Sequence, residues 1–375
     1  MCRLFALTST SPVSPMLAIN ALNVMKEGHD GSGVGLYLSG LEGPFAAHEG
    51  RPVLSGIFTD AGRKRLDALM KERGFRPVHS LEIRKTDPPA GTPRRGMYLA
   101  QVYEPAPAWE ELSAAHRAAS LVETRVAIRE AGEEKRDMMA FSFWPGVVMI
   151  KEVGDPLTIG RWLDLDRSDL HARRILCQGR QNTNYAINLY ACHPFFIEGV
   201  CTMTNGENTA FVPIREYLQT RGIPGYMGYQ SDSEVFAHIL HFTLRRLGLP
   251  LEAYKHVITP LRGAELAEHP DSATLTRLQT VCRRMIIDGP NCVIGVTPEG
   301  TMFMVQDRKK LRPGVVGGKP GIYAFSSEIC GLDAAIPDRD PALDFQPMHL
   351  DTAYVRPDCQ EVTVCSQLKA LPPRP

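Results

Sequence analysis

Residues 2–9 read Cys-Arg-Leu-Phe-Ala-Leu-Thr-Ser, an apolar segment that directly follows the initiator methionine. The segment predicts a short β-strand that begins with a cysteine. Residues 16–25 have apolar side chains at helical spacing, and Gly28 can end that helix. Farther along the chain, strands come in clusters that are broken by runs of helix. This order favours layers of sheet and helix over regular βαβ alternation.

The rest of the chain divides by the same criteria. We predict a loop and a basic helix over 54–75, an inserted strand–helix–strand segment over 76–155, and a loop over 311–321. Further helices are expected over 211–220, 234–247 and 273–287, and two short strands flank the turn Pro298-Glu299-Gly300. The predicted organisation is one domain over 1–366, followed by an irregular Pro-rich tail over 367–375.

Bulk composition excludes several classes of protein. Lysine and arginine together number 42 in 375 residues, as do aspartate and glutamate, so no basic surface for nucleic acid or an anionic membrane is expected. No apolar run reaches the roughly 18 residues of a membrane span, and the N-terminus lacks the features of a signal peptide, so we expect a cytoplasmic protein. The nine cysteines include no C-x-x-C pair, which argues against a metal site or a cofactor cluster built from this chain; most of them are predicted to be buried, inert thiols.

Cys2 is the first candidate for chemistry. If Met1 is removed, the free α-amine of Cys2 lies beside its own thiol, and the two groups titrate near about 7.7–8.0 and 8.5. The amine can then accept the thiol proton, so that one residue supplies both nucleophile and base. The alternative is a small hydrophobic residue at the start of a buried strand.

Three polar motifs complete the candidate site. Arg180 and Thr183 in the segment QGRQNTN (178–184) offer a planar guanidinium and a hydroxyl to a carboxylate, although a solvated loop would look the same. Asn205 and Gly206, after an apolar strand, can both donate to one oxyanion, or simply form an Asn-Gly turn. Asp232 opens a predicted helix, where it can bind an ammonium group or cap the helix.

Taken in order, the motifs resemble those of the class II glutamine amidotransferases, which are N-terminal-nucleophile hydrolases. The matching segments are Cys2, HDGSGVGLY (29–37), GRQNTN (179–184), HPF (193–195), TNGEN (204–208) and SDSEV (231–235). The resemblance implies an α+β fold, a four-layer αββα sandwich. It also implies that Cys2 is the nucleophile, that Arg180 and Thr183 hold the glutamine carboxylate, that Asn205 and Gly206 form the oxyanion hole, and that Asp232 holds the α-amine.

The sequence departs from the family pattern at three places: Asp30-Gly31 stand where many relatives have Arg-Gly, Gln181-Asn182 replace an aromatic or apolar residue and a small one, and Thr204 replaces His or Val. LRPGVVGG (311–318) and YAFSSEICGLD (323–333) are similar to segments of the glutamate synthase branch.

That branch implies a separate FMN and iron–sulfur synthase subunit as partner, which would receive the ammonia, with L-glutamine as substrate here. The alternatives are an independent hydrolase of γ-glutamyl amides or peptides, and a non-catalytic regulatory module.

Overall fold

The structure, a computed structural model, describes residues 2–83, 87–90, 92–93, 95–182, 187–223 and 225–372. The β-strands in this part of the chain are β1 Arg3–Val13, β2 Val34–Leu41, β3 Pro52–Phe58, β4 Phe75–Glu82, β5 Met97–Pro105, β6 Met138–Pro145, β7 Val147–Glu152, β8 Ala172–Gly179, β9 Phe195–Ile197, β10 Val200–Gly206, β11 Asn291–Val296, β12 Met302–Gln306, β13 Val315–Lys319, β14 Ile322–Ser326, β15 Asp351–Val355 and β16 Val362–Ser366.

The α-helices are α1 Met16–Val24, α2 Pro44–Ala47, α3 Asp60–Glu72, α4 Pro107–Glu110, α5 Ala114–Lys135, α6 Pro156–Trp162, α7 Phe211–Thr220, α8 Glu234–His241, α9 Leu251–Ile258, α10 Ala264–Ala267, α11 Ser272–Cys282 and α12 Ile329–Ala335. Helix α8 continues as a π-helical turn over Phe242–Arg246. Short 3₁₀ turns occur at Lys26–Gly28, Ser168–Leu170, Leu189–Ala191, Arg283–Met285 and Pro341–Leu343.

Two antiparallel six-stranded sheets form the centre of the fold. The first has the order β13-β14-β1-β8-β2-β7, and the second has the order β16-β15-β12-β11-β10-β9. They meet where β1 contacts β10, and apolar side chains of both sheets belong to one buried cluster. Helices α1, α6 and α12 pack together with α1 on β1 and β8, while α8 packs on β9 and β10. The layers are therefore helix, sheet, sheet and helix, as the family resemblance predicts.

A third sheet, of order β4-β5-β3-β6, is built from residues between Pro52 and Pro145. Helix α5 packs along β6, and β3 and β6 contact β7 of the first sheet. The sheet has an apolar cluster of its own beneath α3 and α5, which includes Leu66, Tyr103 and Ile128. Strand β5, helix α5 and strand β6 follow one another within the predicted segment 76–155.

Two predicted loops are wrong in part. Residues Val315–Lys319 form β13, which pairs with β14 from Val315↔Ser326 to Lys319↔Ile322, although the loop was predicted over 311–321. The paired glycines Gly317 and Gly318 weaken the strand signal in the sequence, and only pairing with β14 stabilises the extended backbone. Likewise β3 at Pro52–Phe58 occupies the start of the segment predicted as a loop before α3. Its ladders to β5 and β6 lie far away in sequence.

Candidate active site

Strand pairing places Cys2 beside Arg180. Arg3 at the start of β1 pairs with Gly179 at the end of β8, so the residues just outside both strands are neighbours. The Gln181 N–H donates to Cys2 Sγ over 3.4 Å, and the thiol donates to Gln181 O over 3.7 Å. The candidate nucleophile is thus held against the segment that carries the candidate carboxylate-binding arginine.

The surroundings of Cys2 act on its thiol in opposite directions. Burial raises the pKa of the Cys2 thiol, and this is the largest effect. The hydrogen bond from Gln181 and the positive charge of Arg180 lower it, while the carboxylate of Asp30 raises it. The net result is a raised pKa, so the thiolate needs a base or a bound cation nearby to form at neutral pH.

The Arg180 guanidinium is buried without a counter-ion among the described residues. The residue is 5% exposed, and its Nη1 has no hydrogen-bond partner in this part of the chain. A buried cation without an anion is costly unless a ligand supplies the charge. The glycine-rich segment 31–35 fixes the backbone of Arg180. Arg180 N–H donates to Gly33 O over 2.7 Å, and Arg180 O accepts from Ser32 Oγ over 3.3 Å.

The carboxylate of Asp30 binds backbone N–H groups close to Arg180, which gives this acidic residue a structural role. Its carboxylate accepts from the N–H groups of Ser32 at 2.9 Å and Asn182 at 3.1 Å, and its own N–H donates to Arg180 O. These hydrogen bonds from backbone and side chain lower the pKa of Asp30 against the opposing effect of its partial burial. The acidic side chain therefore holds the backbone at Asn182, close to Arg180.

The end of β10 supplies the candidate oxyanion hole. Asn205 is 1% exposed, and its Nδ2 has no hydrogen-bond partner among the described residues. Gly206 lines a cavity beside it, and a Cβ at Gly206 would lie 2.0 Å from Pro290 O. Only glycine permits this close approach of β11, so the backbone of Gly206 stays in register with Asn291.

Asp232 lies at the start of α8 in a mostly buried position. Its Oδ2 accepts from Asn208 N–H over 2.7 Å, and its Oδ1 accepts from the hydroxyls of Ser231 and Ser233, each over 3.3 Å. Burial raises the pKa of Asp232, whereas the hydrogen bonds from Asn208, Ser231 and Ser233 lower it. Ser233 immediately precedes helix α8, and its side chain makes no capping bond. The Asp232 carboxylate bonds to Asn208, Ser231 and Ser233 instead of a helix N–H group, so the predicted cap is absent.

One cavity of about 310 Å³ brings these groups together. Cys2, Arg180, Gly206 and Asp232 all line it. Asn205 is adjacent through Gly206 but is not among its lining residues. Thr183, the remaining predicted site residue, lies outside the described residues. The volume falls at the lower end of the range of small-molecule sites, about 300–1,000 Å³, and suits a compact polar ligand.

Several lining residues were not predicted, among them His193, Thr204 and Ser233. The ring Nδ1 of His193 accepts from Thr204 N–H over 3.1 Å, which places the ring proton on Nε2. Burial, with the charges of Arg180 and Lys151, holds the pKa of His193 well below its usual range, so the imidazole is neutral. The HPF motif marked the position in the sequence, but nothing local indicated this bond.

Sequence relatives agree with the motifs. No protein-family model matches the chain. Glutamine–fructose-6-phosphate aminotransferase of Yersinia pseudotuberculosis is 30% identical over 148 residues, which are 40% of this chain and 23% of that protein. The enzyme of the same name from Treponema pallidum is 36% identical over 104 residues, 27% of this chain and 16% of that protein. The chain resembles the class II glutamine amidotransferases.

The chain also matches a protein without an assigned function and several solved structures. An uncharacterized Archaeoglobus fulgidus protein is 28% identical over 178 residues, which are 47% of this chain and 46% of that protein. Among solved structures, the glutamine phosphoribosylpyrophosphate amidotransferase of B. subtilis has a TM-score of 0.45 at 12% identity, covering 97% of this chain and 49% of that one. A class-II glutamine aminotransferase domain protein of Silicibacter pomeroyi has a TM-score of 0.34 at 13% identity, over 58% and 84% of the two chains. The matched segments span less than half the length of each sequence relative. None of these proteins is named as a glutamate synthase.

Proposed function

We propose that this chain hydrolyses the side-chain amide of L-glutamine. The observation that carries the proposal is the buried Arg180, which has no counter-ion among the described residues and shares one cavity with Cys2 and Asp232. A cation and an anion in one compact cavity match the two charges of an amino-acid zwitterion. Arg180 binds the α-carboxylate and Asp232 binds the α-ammonium, and the distal amide then extends toward Cys2. Thr183 is proposed to assist Arg180.

The proposed reaction passes through a thioester. After Met1 is removed, the α-amine of Cys2 takes the thiol proton, and the thiolate attacks the amide carbon. The developing oxyanion accepts hydrogen bonds from Asn205 Nδ2 and the N–H of Gly206, and each such donor contributes about 3–4 kcal/mol in acyl transfer. The protonated amine then supplies a proton as the C–N bond breaks and ammonia leaves. Water hydrolyses the glutamyl thioester to glutamate and restores the thiol.

Covalent labelling of Cys2 with a reactive glutamine analogue tests this mechanism directly. The protein, produced with its native start, is incubated with 6-diazo-5-oxo-L-norleucine, and the intact and N-terminal peptide masses are measured. We expect loss of Met1 and one adduct on Cys2. Arg180→Gln should lose the adduct with 6-diazo-5-oxo-L-norleucine but keep alkylation of Cys2 by iodoacetamide. A chain that retains Met1, or an adduct elsewhere, contradicts the proposal.

For the acceptor we propose a glutamate synthase-like partner subunit carrying FMN and an iron–sulfur cluster, in the cytoplasm. The support is that LRPGVVGG (311–318) and YAFSSEICGLD (323–333) are similar to segments of the glutamate synthase branch. The second segment also contacts β1, the strand that follows Cys2: Ser327 Oγ accepts from Leu4 N–H over 2.9 Å, and Glu328 pairs with Arg3 at 2.7 Å. No helix in the described part of the chain is long and apolar enough to cross a membrane.

Purification of the tagged chain from its own cells, with flavin and iron analysis of the co-purified proteins, tests this partner. A flavin-containing iron–sulfur subunit is expected. Co-purification with a sugar-phosphate isomerase subunit instead contradicts it. The alternative of an independent hydrolase predicts turnover of γ-glutamyl peptides by the isolated chain. Because Asp232 is proposed to bind a free α-ammonium, we expect no turnover of γ-glutamyl peptides whose α-amine is blocked. Peptides with a free α-amine remain compatible with this alternative.

A further inference from the structure

A second and larger cavity lies away from Cys2, between the third sheet and the end of α8. Its volume is about 1770 Å³. Residues of β4, β5 and the first turns of α5 form one wall, and Glu198, His241 and the turn after α8 form the other. None of its lining residues lines the candidate active site.

The rim of this cavity is basic. Seven arginine and lysine side chains line it, against five aspartate and glutamate side chains. Arg51 and Arg76 both pair with Glu104, whereas Arg245 and Arg246 form no ion pair with any described residue. These two arginines lie on the π-helical turn, in which Leu247 N–H donates to Phe242 O, five residues earlier. Single π-helical turns are frequently found at functional sites.

Glu198 is an unusual residue for its position. It occupies the first of two positive-φ positions, with φ of 46° followed by 85° at Gly199, in the two-residue hairpin turn between β9 and β10. Such turns favour Asn, Asp or Gly there, so glutamate carries a conformational cost. Its Oε2 lies 2.9 Å from Nε2 of His241, which is 2% exposed. The turn thus orients the imidazole of His241 near Arg245 and Arg246, and the positive charges of both arginines act on the Glu198 carboxylate.

The walls between the charged groups are aromatic and apolar. Trp144 packs edge-on against Phe196, with ring centroids 6.0 Å apart, close to the Glu198 turn. Trp109 also lines the cavity, and the Arg117 guanidinium is 5.4 Å from its ring. Indole rings stack on planar ligands, and arginine binds phosphate or carboxylate through paired N–H groups. Side chains of both kinds line this one cavity.

We propose that this cavity binds an aromatic organic anion of about nucleotide size. The aromatic body lies against the tryptophan-lined wall, and the anionic group lies between Arg245 and Arg246. The cavity exceeds the volume of one such ligand, so binding is confined to the part where basic rim and indole walls meet. The site is independent of the proposed glutaminase reaction, because it shares no residue with it.

Intrinsic fluorescence gives a direct test, because two of the three tryptophans of the chain, Trp109 and Trp144, line the cavity. Trp162→Phe removes the third tryptophan, and this variant is titrated with AMP, adenosine and orthophosphate in turn. AMP should quench the emission at the lowest concentration. Adenosine lacks the charge and orthophosphate lacks the ring, so each alone should bind more weakly.

Arg245→Gln/Arg246→Gln in the same background should weaken AMP binding about tenfold, as expected for the loss of two exposed charge contacts. The matched control is Arg283→Gln/Arg284→Gln, which removes two exposed adjacent arginines that do not line the cavity. Equal quenching by AMP and adenosine, equal loss in both double variants, or no quenching by AMP overturns the proposal.

Discussion

The hydroxyl of Thr204 donates to the hydroxyl of Ser233 over 2.6 Å, and this contact joins two parts of the candidate active site. Thr204 immediately precedes Asn205 on β10, and Ser233 Oγ donates to Asp232. Thr204 O also accepts from Gln178 Nε2 over 2.9 Å, on the strand that leads to Arg180. One residue therefore ties the oxyanion donor to both charged ends of the proposed glutamine site.

Thr204→Val is expected to raise KM for glutamine about fivefold, because one buried hydrogen bond contributes about 1 kcal/mol and Ser233 loses a partner. Thr204→Ser retains the hydroxyl and should stay close to wild type. Steady-state glutaminase assays measure both variants, with the rate of Cys2 alkylation by iodoacetamide as a check on the fold. An unchanged KM in Thr204→Val would show that the contact does not position Asp232.

Arg180→Gln should raise KM for glutamine about 100-fold, because a buried charge-assisted contact contributes about 1.5–3 kcal/mol. Arg180→Lys should restore little of this, since an ammonium cannot form the paired contacts of a guanidinium. Arg173→Gln serves as the control, because Arg173 is exposed on β8, the strand that leads to Arg180. Similar KM values for Arg180→Gln and Arg173→Gln would contradict the proposed role of Arg180.

The alkylation rate of Cys2 should depend on pH with a midpoint that is raised relative to a free cysteine. Burial raises the pKa of the thiol and the charge of Arg180 lowers it. The iodoacetamide rate should therefore rise with pH and reach half its maximum above the value for a cysteine in an unstructured peptide. Arg180→Gln should move the midpoint higher still. A wild-type midpoint below that of the peptide would show that burial does not control this thiol.

Glutamine binding should weaken with acidification through Asp232. Only the ionised carboxylate attracts an α-ammonium, and burial raises the pKa of Asp232. KM should therefore rise as pH falls, and the rise should begin at a higher pH than for a water-exposed aspartate. Asp232→Asn should have a high KM, larger by about 100-fold, that no longer changes over this range. If KM of Asp232→Asn still rose as the pH falls, the titrating group would be a residue other than Asp232.

Arg125 is expected to contribute strongly to stability. It is 0% exposed, and its guanidinium donates to Ala140 O over 2.6 Å and to Tyr226 O, joining α5, β6 and the segment before α8. Arg125→Met removes the guanidinium donor from two buried carbonyls and should lower the free energy of unfolding by about 2–4 kcal/mol. Urea denaturation measures this. Lys135→Met, at an exposed position on the same helix, should change it by less than about 0.5 kcal/mol.

Local patterns predicted most helices and strands of the main sandwich. The helix over 211–220 is confirmed, and the helix predicted over 234–247 is α8 together with its π-helical turn. The turn at 298–300 separates β11 from β12 as expected. Six cysteines outside the site are buried, as predicted from their apolar neighbours. Strands β3 and β13 were missed, because their partners lie elsewhere in the chain or because paired glycines obscure the pattern.

The sequence by itself determined the candidate residues, because each belongs to a short motif whose chemistry is visible in its residue types: a cysteine after Met1, an arginine in a polar loop, an Asn-Gly pair and an aspartate before a helix. Only the tertiary structure decided that Cys2, Arg180, Gly206 and Asp232 line one cavity. The same is true of the Thr204 contacts and of the lack of a counter-ion for Arg180 among the described residues. Burial and charge compensation depend on which distant segments pack together, and a local sequence pattern contains no record of that packing.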